Sequence, residues 1–249
     1  MESMKAGEGN GIFFLEDEIS NCGYNSFMMV RLFIALLLLF ITGTGSVFPQ
    51  SQLTKSAPLQ AKISTLELRE KMSTLWQENS YWTRNLMISI LDTMPGNDQA
   101  LWRLIKNQEE ICKLFKDFFD DESQIALMEL LYSDVNFRIE LIKLAPTDSL
   151  LAMEARERWR RSVNAIAEYL HKLNSKWMLR ELNTLFNEQV DTNYELIRQR
   201  TMREYDLELI AFDKMMINAA RISKVLTQGL IYQYPQKFTD ITPRIAASK

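Results

Sequence analysis

The stretch YDLELIAFDKMMINAARISKVLTQGL, residues 205–230, decides the fold class. Leu209, Phe212, Met216, Ala219, Ser223, Leu226 and Leu230 recur in it at alternating steps of three and four, the spacing of one face of a helix seated in a bundle. The small side chains of Ala219 and Ser223 predict close approach by a neighbouring helix. Met215 and Met216 read as core filler rather than as a soft-metal pair, because the unbranched thioether fills irregular gaps.

Working outward, the punctuation predicts six helices near 64–92, 98–118, 122–145, 148–173, 176–200 and 203–228, with Asn107 a candidate break in the second. Ser64-Thr-Leu-Glu67 has the form of a capping box, in which a hydroxyl and a carboxylate satisfy orphan amides at a helix start. Pro95-Gly96, Asp120-Asp121, Pro146-Thr147-Asp148 and Asn174-Ser175 separate the helices, and Gly229 with Pro235 closes the last. No segment alternates with period two between turn glycines, so β-structure has no support. The reading is an all-α, antiparallel helical bundle over 64–238, with 47–63 as a flexible tether and 239–249 as a tail.

Composition agrees. Of 249 residues 47% are hydrophobic and 24% charged, enough to bury a core, while 8 Gly, 6 Pro and 2 Cys exclude collagen-like and disulfide-scaffold classes. The formal charge is −3. Setting aside the two basic and five acidic residues of 1–46 leaves 27 of each sign, so no nucleic-acid footprint is predicted. Arg156, Arg158, Arg160 and Arg161 alternate with Glu154 and Glu157, which reads as a solvated mixed-charge face.

Leu32 to Ile41 is an uninterrupted apolar run, preceded by Arg31 and followed by Thr42-Gly43-Thr44-Gly45-Ser46. As a helix it covers about 15 Å, half of a hydrocarbon layer of about 30 Å, so a signal peptide within 1–46 is favoured over a single membrane anchor. Acidic residues ahead of the run are wrong for a signal-peptide start, whereas Met28-Met29-Val30-Arg31 is right, which points to a true start near Met28. Export would leave Cys112 without a partner cysteine, since Cys22 precedes the run. The expected localisation is periplasmic or secreted, the alternative a membrane-anchored domain that touches the bilayer only through 27–48.

Laying the predicted stripes side by side exposes an unusual layer. Asn79 interrupts Leu68, Met72, Leu75, Trp82 and Leu86; Asp134 lies among Leu127, Leu130, Phe137 and Leu141; Gln189 lies between Leu182, Leu185 and Leu196. Met216 stands at the comparable height of the last helix. A buried amide or carboxylate costs several kcal/mol unless paired, so these residues predict a hydrogen-bonded layer that fixes helix register.

Leu75-Trp76-x-x-Asn79-x-x-Trp82-Thr83-Arg84 resembles the Trp-x-x-His-x-x-Trp-Thr-Arg signature of an uncharacterised, mostly bacterial helical-bundle family. Arg103-Leu104 with Asn107, Trp159 with Asn164, Asn174-Ser175-Lys176-Trp177, Tyr205-Asp206 with Ala211-Phe212-Asp213, and the closing Gly229-to-Pro235 segment with Phe238 extend the resemblance over roughly 64–238. The resemblance implies His at the positions of Asn79, Asp134, Gln189 and Met216, converging as metal ligands in the bundle core. All four are replaced here, and amides with one carboxylate and a thioether make a poor transition-metal site. A metal-dependent activity is thereby put in doubt.

Glu168-x-x-His171 matches one half of a di-iron carboxylate motif, but His171 is the sole histidine and the pair sits with Glu157, Arg161 and Asn164 on a predicted outward face. Cys112, beside Ile111, reads as an inert thiol. Asp206 and Asp213 are conceivable acid/base groups and read first as surface charge. Trp76, Trp82 and Arg84 form a supporting cluster in which Arg84 is expected to clamp an acidic residue of a neighbouring helix. The functional expectation is an exported, non-catalytic bundle, without metal or cofactor, that binds a protein or small-molecule partner. The alternatives are a divergent metal-dependent enzyme and a membrane-tethered helical domain.

Overall fold

A computed structural model of the chain describes residues 63–241. The export segment, the proposed start at Met28 and nearly all of the 47–63 tether lie outside the described residues. Six helices account for the rest: α1 (Thr65–Leu91), α2 (Asn97–Lys113), α3 (Asp121–Leu144), α4 (Ser149–Leu173), α5 (Leu179–Thr201) and α6 (Tyr205–Gln233), followed by a 3₁₀ turn at Pro235–Lys237. Among the described residues there is no strand, only an isolated bridge between Ile63 and Phe238. None of these helices is long and apolar enough to cross a membrane.

Cross-helix bonds give the chain directions. Between α3 and α4, residue 123 meets 169, 134 meets 159 and 140 meets 158, so one number rises as the other falls. The α4–α5 and α5–α6 pairs behave alike, through Arg156–Asp191 with Asn164–Asn187 and through Arg200–Glu208 with Leu185–Asn218. Consecutive helices therefore run antiparallel, and α1 packs against α2, α3, α5 and α6. One core cluster draws on all six helices, from Leu68 and Met72 through Trp159 to Leu226 and Leu230.

The punctuation works through specific atoms. Asp120 Oδ1 accepts from the Ser123 amide at 2.8 Å, and Asp148 Oδ1 accepts from Leu150 and Leu151 at 2.8 and 3.0 Å, so both aspartates cap the helices that follow them. Gly96 supplies the left-handed residue ahead of α2, at φ 98°. The capping box at Ser64 forms only in part. Ser64 Oγ accepts from Leu66, but Glu67 pairs with Lys71 at 2.6 Å instead of reaching back. Asp240 satisfies a different amide of the first turn, accepting from the Thr65 amide at 3.0 Å and the Thr65 hydroxyl at 2.5 Å, while Ile63 pairs with Lys237 and Thr239.

Four boundary expectations are corrected. Asn107 does not break α2; it is fully buried within it and bonded across the bundle. α2 ends at Lys113 rather than 118, where i→i+3 bonds tighten the chain so that Phe115, Phe118 and Phe119 turn onto Trp177, Tyr234 and Phe238. Gly229 does not stop α6, which runs to Gln233. A Cβ there would lie 2.0 Å from Trp177 Nε1, so Gly229 makes room for an indole that donates to the Leu226 carbonyl at 3.0 Å. α5 begins at Leu179 rather than near 176.

The seam of α6 is likewise rotated in part from its expected position. Its second half holds, with Ala219, Ser223, Leu226 and Leu230 all buried, but in its first half Leu209 is exposed and Phe212 and Met216 are half-buried, and Glu208, Ala211 and Met215 face inward instead. Glu208 and Asn218 look like solvent residues in a hydrophobic pattern. Both are paired with groups on other helices, which is what permits their burial.

Candidate functional site

Asn79 and Asp134 are both buried and belong to one network, and the link between them is Arg138. Asp134 and Arg138 are four residues apart on α3 and are 3% and 2% exposed. Arg138 Nη1 donates to Asn79 Oδ1 and to Thr83 Oγ1, each at 2.7 Å, and Nη2 bonds an Asp134 oxygen. The other Asp134 oxygen accepts from the Trp159 indole at 2.5 Å, and the guanidinium lies over that ring at 5.6 Å from its centroid.

On the far side, Asn79 Nδ2 donates to Asn107 Oδ1 at 3.0 Å, and Asn107 Nδ2 donates to the Leu75 carbonyl at 2.9 Å. Thr83 Oγ1 donates to the Asn79 backbone carbonyl at 2.7 Å. Donors and acceptors thus alternate without conflict through α2, α1, α3 and α4. Removing two charges from water costs several kcal/mol per ion, and it is offset here because the carboxylate accepts two bonds and the guanidinium gives three from its Nη atoms, while Arg138 Nε has no partner on the protein. Chemically, the arrangement places the Arg138 guanidinium between Asn79 and Asp134. It presents no open coordination position.

The other two members of the expected layer do not join it. Gln189 is half-buried and lines a small cavity with Trp76 and Asn193, while Met216 is half-buried on α6. The reason is rotation: the inward residues of those helices are Val190 and Asn193 on α5 and Met215 on α6. Trp76, not Trp82, occupies the α1 seam. Trp82 sits at the edge, edge-on to Tyr81 and beneath Arg103 at 5.5 Å.

Arg84 pairs as expected with a neighbouring helix, its guanidinium 2.7 Å from Glu208 of α6. Glu208 is 1% exposed and also takes Arg200 of α5 at 2.8 Å, and Arg200 in turn bonds Asp92. Those carboxylates hold the Arg200 pKa above the ordinary guanidinium value, the Asp92 bond contributing most. This alternating chain closes the end of the bundle where the α1–α2, α3–α4 and α5–α6 loops meet. The loops enclose an open, polar depression of about 480 Å³ lined by Asp92, Thr93, Pro146, Arg200, Arg203 and Tyr205.

Large hydrophobic side chains are exposed on the segments that flank those loops. Met94, Leu150, Leu151, Met153, Met202, Tyr205, Leu207, Leu209 and Ile210 are all exposed, more than half of the large exposed hydrophobics among the described residues. By the antiparallel order all of them lie at or near this one end. The opposite end is filled by the Phe115, Phe118, Trp177 and Phe238 cluster.

The basic run of α4 is not simply solvated. Arg156 and Arg160 both bond Asp191 of α5, and Arg158 bonds Glu140 of α3 at 2.5 Å, so three of the four arginines tie α4 to its neighbours. His171 does not point to solvent either: it is half-buried, and its Nδ1 donates to the Trp177 carbonyl at 2.7 Å, while Glu168 is exposed. Asp206 and Asp213 are exposed. Burial pushes the Cys112 thiol up to about 11, which removes the thiolate needed for reactivity. Among the described residues no three His, Cys, Asp or Glu side chains gather as a metal site.

The sequence pattern misses Arg138, Thr83, Glu208 and Arg200. The one legible signal is the Asp134–Arg138 spacing of four on a helix whose other residues at those heights are apolar. No family model, no curated protein and no solved structure matches the chain.

Proposed function

We propose that the chain is a non-catalytic helical bundle that binds a protein partner with its loop end. The observation that carries this reading is the gathering of exposed apolar side chains, Leu150, Met153, Met202 and Ile210 among them, around the polar depression at that end. Exposed apolar side chains are costly in water, and their concentration at one end of a bundle suits a surface where a protein docks. The polar core supports the reading from inside: its side chains bond one another across helices, which rigidifies the frame that carries the loops.

The metal-dependent alternative would require the Arg138 guanidinium to leave its three partners before a cation could use Asn79 or Asp134. Like charges repel at such range, so the two occupants exclude each other. We further propose that the Leu32–Ile41 run directs the chain to export, or tethers it if uncleaved, on the strength of its length and small-residue flank. Sequencing the amino terminus of protein from its native host separates cleavage from tethering.

The docking reading is tested by placing a photo-crosslinker at Leu150, identifying the captured protein, and measuring its binding in purified form. Leu150→Asp with Ile210→Asp is expected to weaken binding by tenfold or more, about 1.4 kcal/mol, while Ile125→Asp at the other end leaves it unchanged. Equal binding to all variants would overturn the assignment of this surface.

A further inference from the structure

We propose that the interface of α1, α5 and α6 holds one buried water molecule, bound by Trp76, Asn193 and Asn218. All three side chains are at least nine-tenths buried, and Trp76 Nε1, Asn193 Oδ1 and Asn218 Oδ1 have no hydrogen-bond partner on the protein. They line a common cavity with Ser80, Gln189 and Met215. Its interior leaves about 10 Å³ for the centre of a water-sized sphere, the room of a single water and nothing larger.

The amide orientations are fixed by bonds outside the cavity. Asn193 Nδ2 donates to the Gln189 carbonyl at 2.7 Å, and Asn218 Nδ2 donates to the Leu185 carbonyl at 3.0 Å. Rotating either amide would set an oxygen against a carbonyl oxygen, so both Oδ1 atoms are committed as acceptors. The site therefore offers one N–H and two C=O groups. A metal cation or ammonium would meet the indole N–H head-on, an anion would meet two carbonyl oxygens, and a methyl group would leave all three unpaired. Water accepts from Trp76 and donates once to each asparagine, satisfying every group.

This placement gives the water a structural task. Asn79, one turn beyond Trp76 on α1, ties α1 to α2 and α3 through direct bonds. The water ties the same turn of α1 to α5 and α6, so that α1 is held by polar contacts on both sides.

The test is a high-resolution crystal structure of the protein combined with oxygen-17 relaxation dispersion, which counts long-lived waters. The expected result is density about 2.7–3.2 Å from all three atoms, and a count that falls by one in Trp76→Phe, which keeps a ring but removes the donor. Asn218→Leu is expected to lose the same water, and Trp76→Phe stands alone should that variant fail to fold. Two results would overturn the proposal: a direct bond between the indole and either asparagine in place of the density, or a count that Trp76→Phe leaves unchanged.

Discussion

Replacing Arg138 by Met leaves the Asp134 carboxylate in the core with the Trp159 indole as its one remaining partner. Truncating one member of a buried ion pair costs about 3–5 kcal/mol, because the surviving charge is neither solvated nor neutralised. Asp134→Leu strands the guanidinium instead and carries the same cost of about 3–5 kcal/mol. The double variant Asp134→Leu/Arg138→Met removes both charges and strands only neutral groups, chiefly Asn79 Oδ1 and Trp159 Nε1. At about 1–3 kcal/mol for each such group its cost is about 2–6 kcal/mol, against about 6–10 for the two single changes added together. Urea unfolding followed by circular dichroism reads the difference, with each single variant also lowering Tm by about 6–20 °C for a bundle of this size. Single variants that cost less than about 1 kcal/mol, or costs that add in the double variant, would refute the claim that these groups form one desolvated unit.

Three further outcomes follow from the packing. Gly229→Ala improves helix propensity by about 1 kcal/mol yet is expected to destabilise by about 1–5 kcal/mol, since the added Cβ displaces the Trp177 indole and its bond to Leu226; a higher urea midpoint would contradict it. The bonds from Thr65 hold the Asp240 carboxyl below its ordinary value, so its contribution is complete above the unfolded value of about 3.9 and disappears as pH falls through the folded one. The stability gap between the protein and Asp240→Asn is therefore expected at neutral pH and to close below about pH 4; a gap that widens in acid would contradict the cap. With its thiol raised by burial, Cys112 is expected to resist alkylation at neutral pH until the bundle is unfolded, and peptide mapping that finds it modified in the native state would contradict this.

How much of this was legible in the sequence depends on what each residue had to pair with. Asp120 and Asp148 act on amides two or three residues away, so the helix boundaries they mark are legible from local sequence. Asn79 and Asp134 were visible because they break apolar stripes. Their partners were not, since Arg138 and Glu208 have the composition of solvated residues and become core residues only when groups from another helix meet them. Gly229 illustrates the same limit from the other side. Read along the chain it is a helix stop, and only the position of Trp177, far away in sequence, makes it a notch in a helix that continues. Gln189 and Met216 failed for a smaller reason, a rotation of one position on helices whose true inward face carries Asn193 and Asn218.

Arg138 occupies the space in the bundle core between Asn79 and Asp134. Thermal unfolding of dialysed, untagged protein with and without added zinc, manganese or iron, alongside elemental analysis, tests it most directly. The account predicts substoichiometric metal and a Tm that none of the three ions raises, because a guanidinium already holds Asn79 and Asp134. A stoichiometric metal that survives dialysis and raises Tm, with Asp134→Ala abolishing both effects, would contradict it.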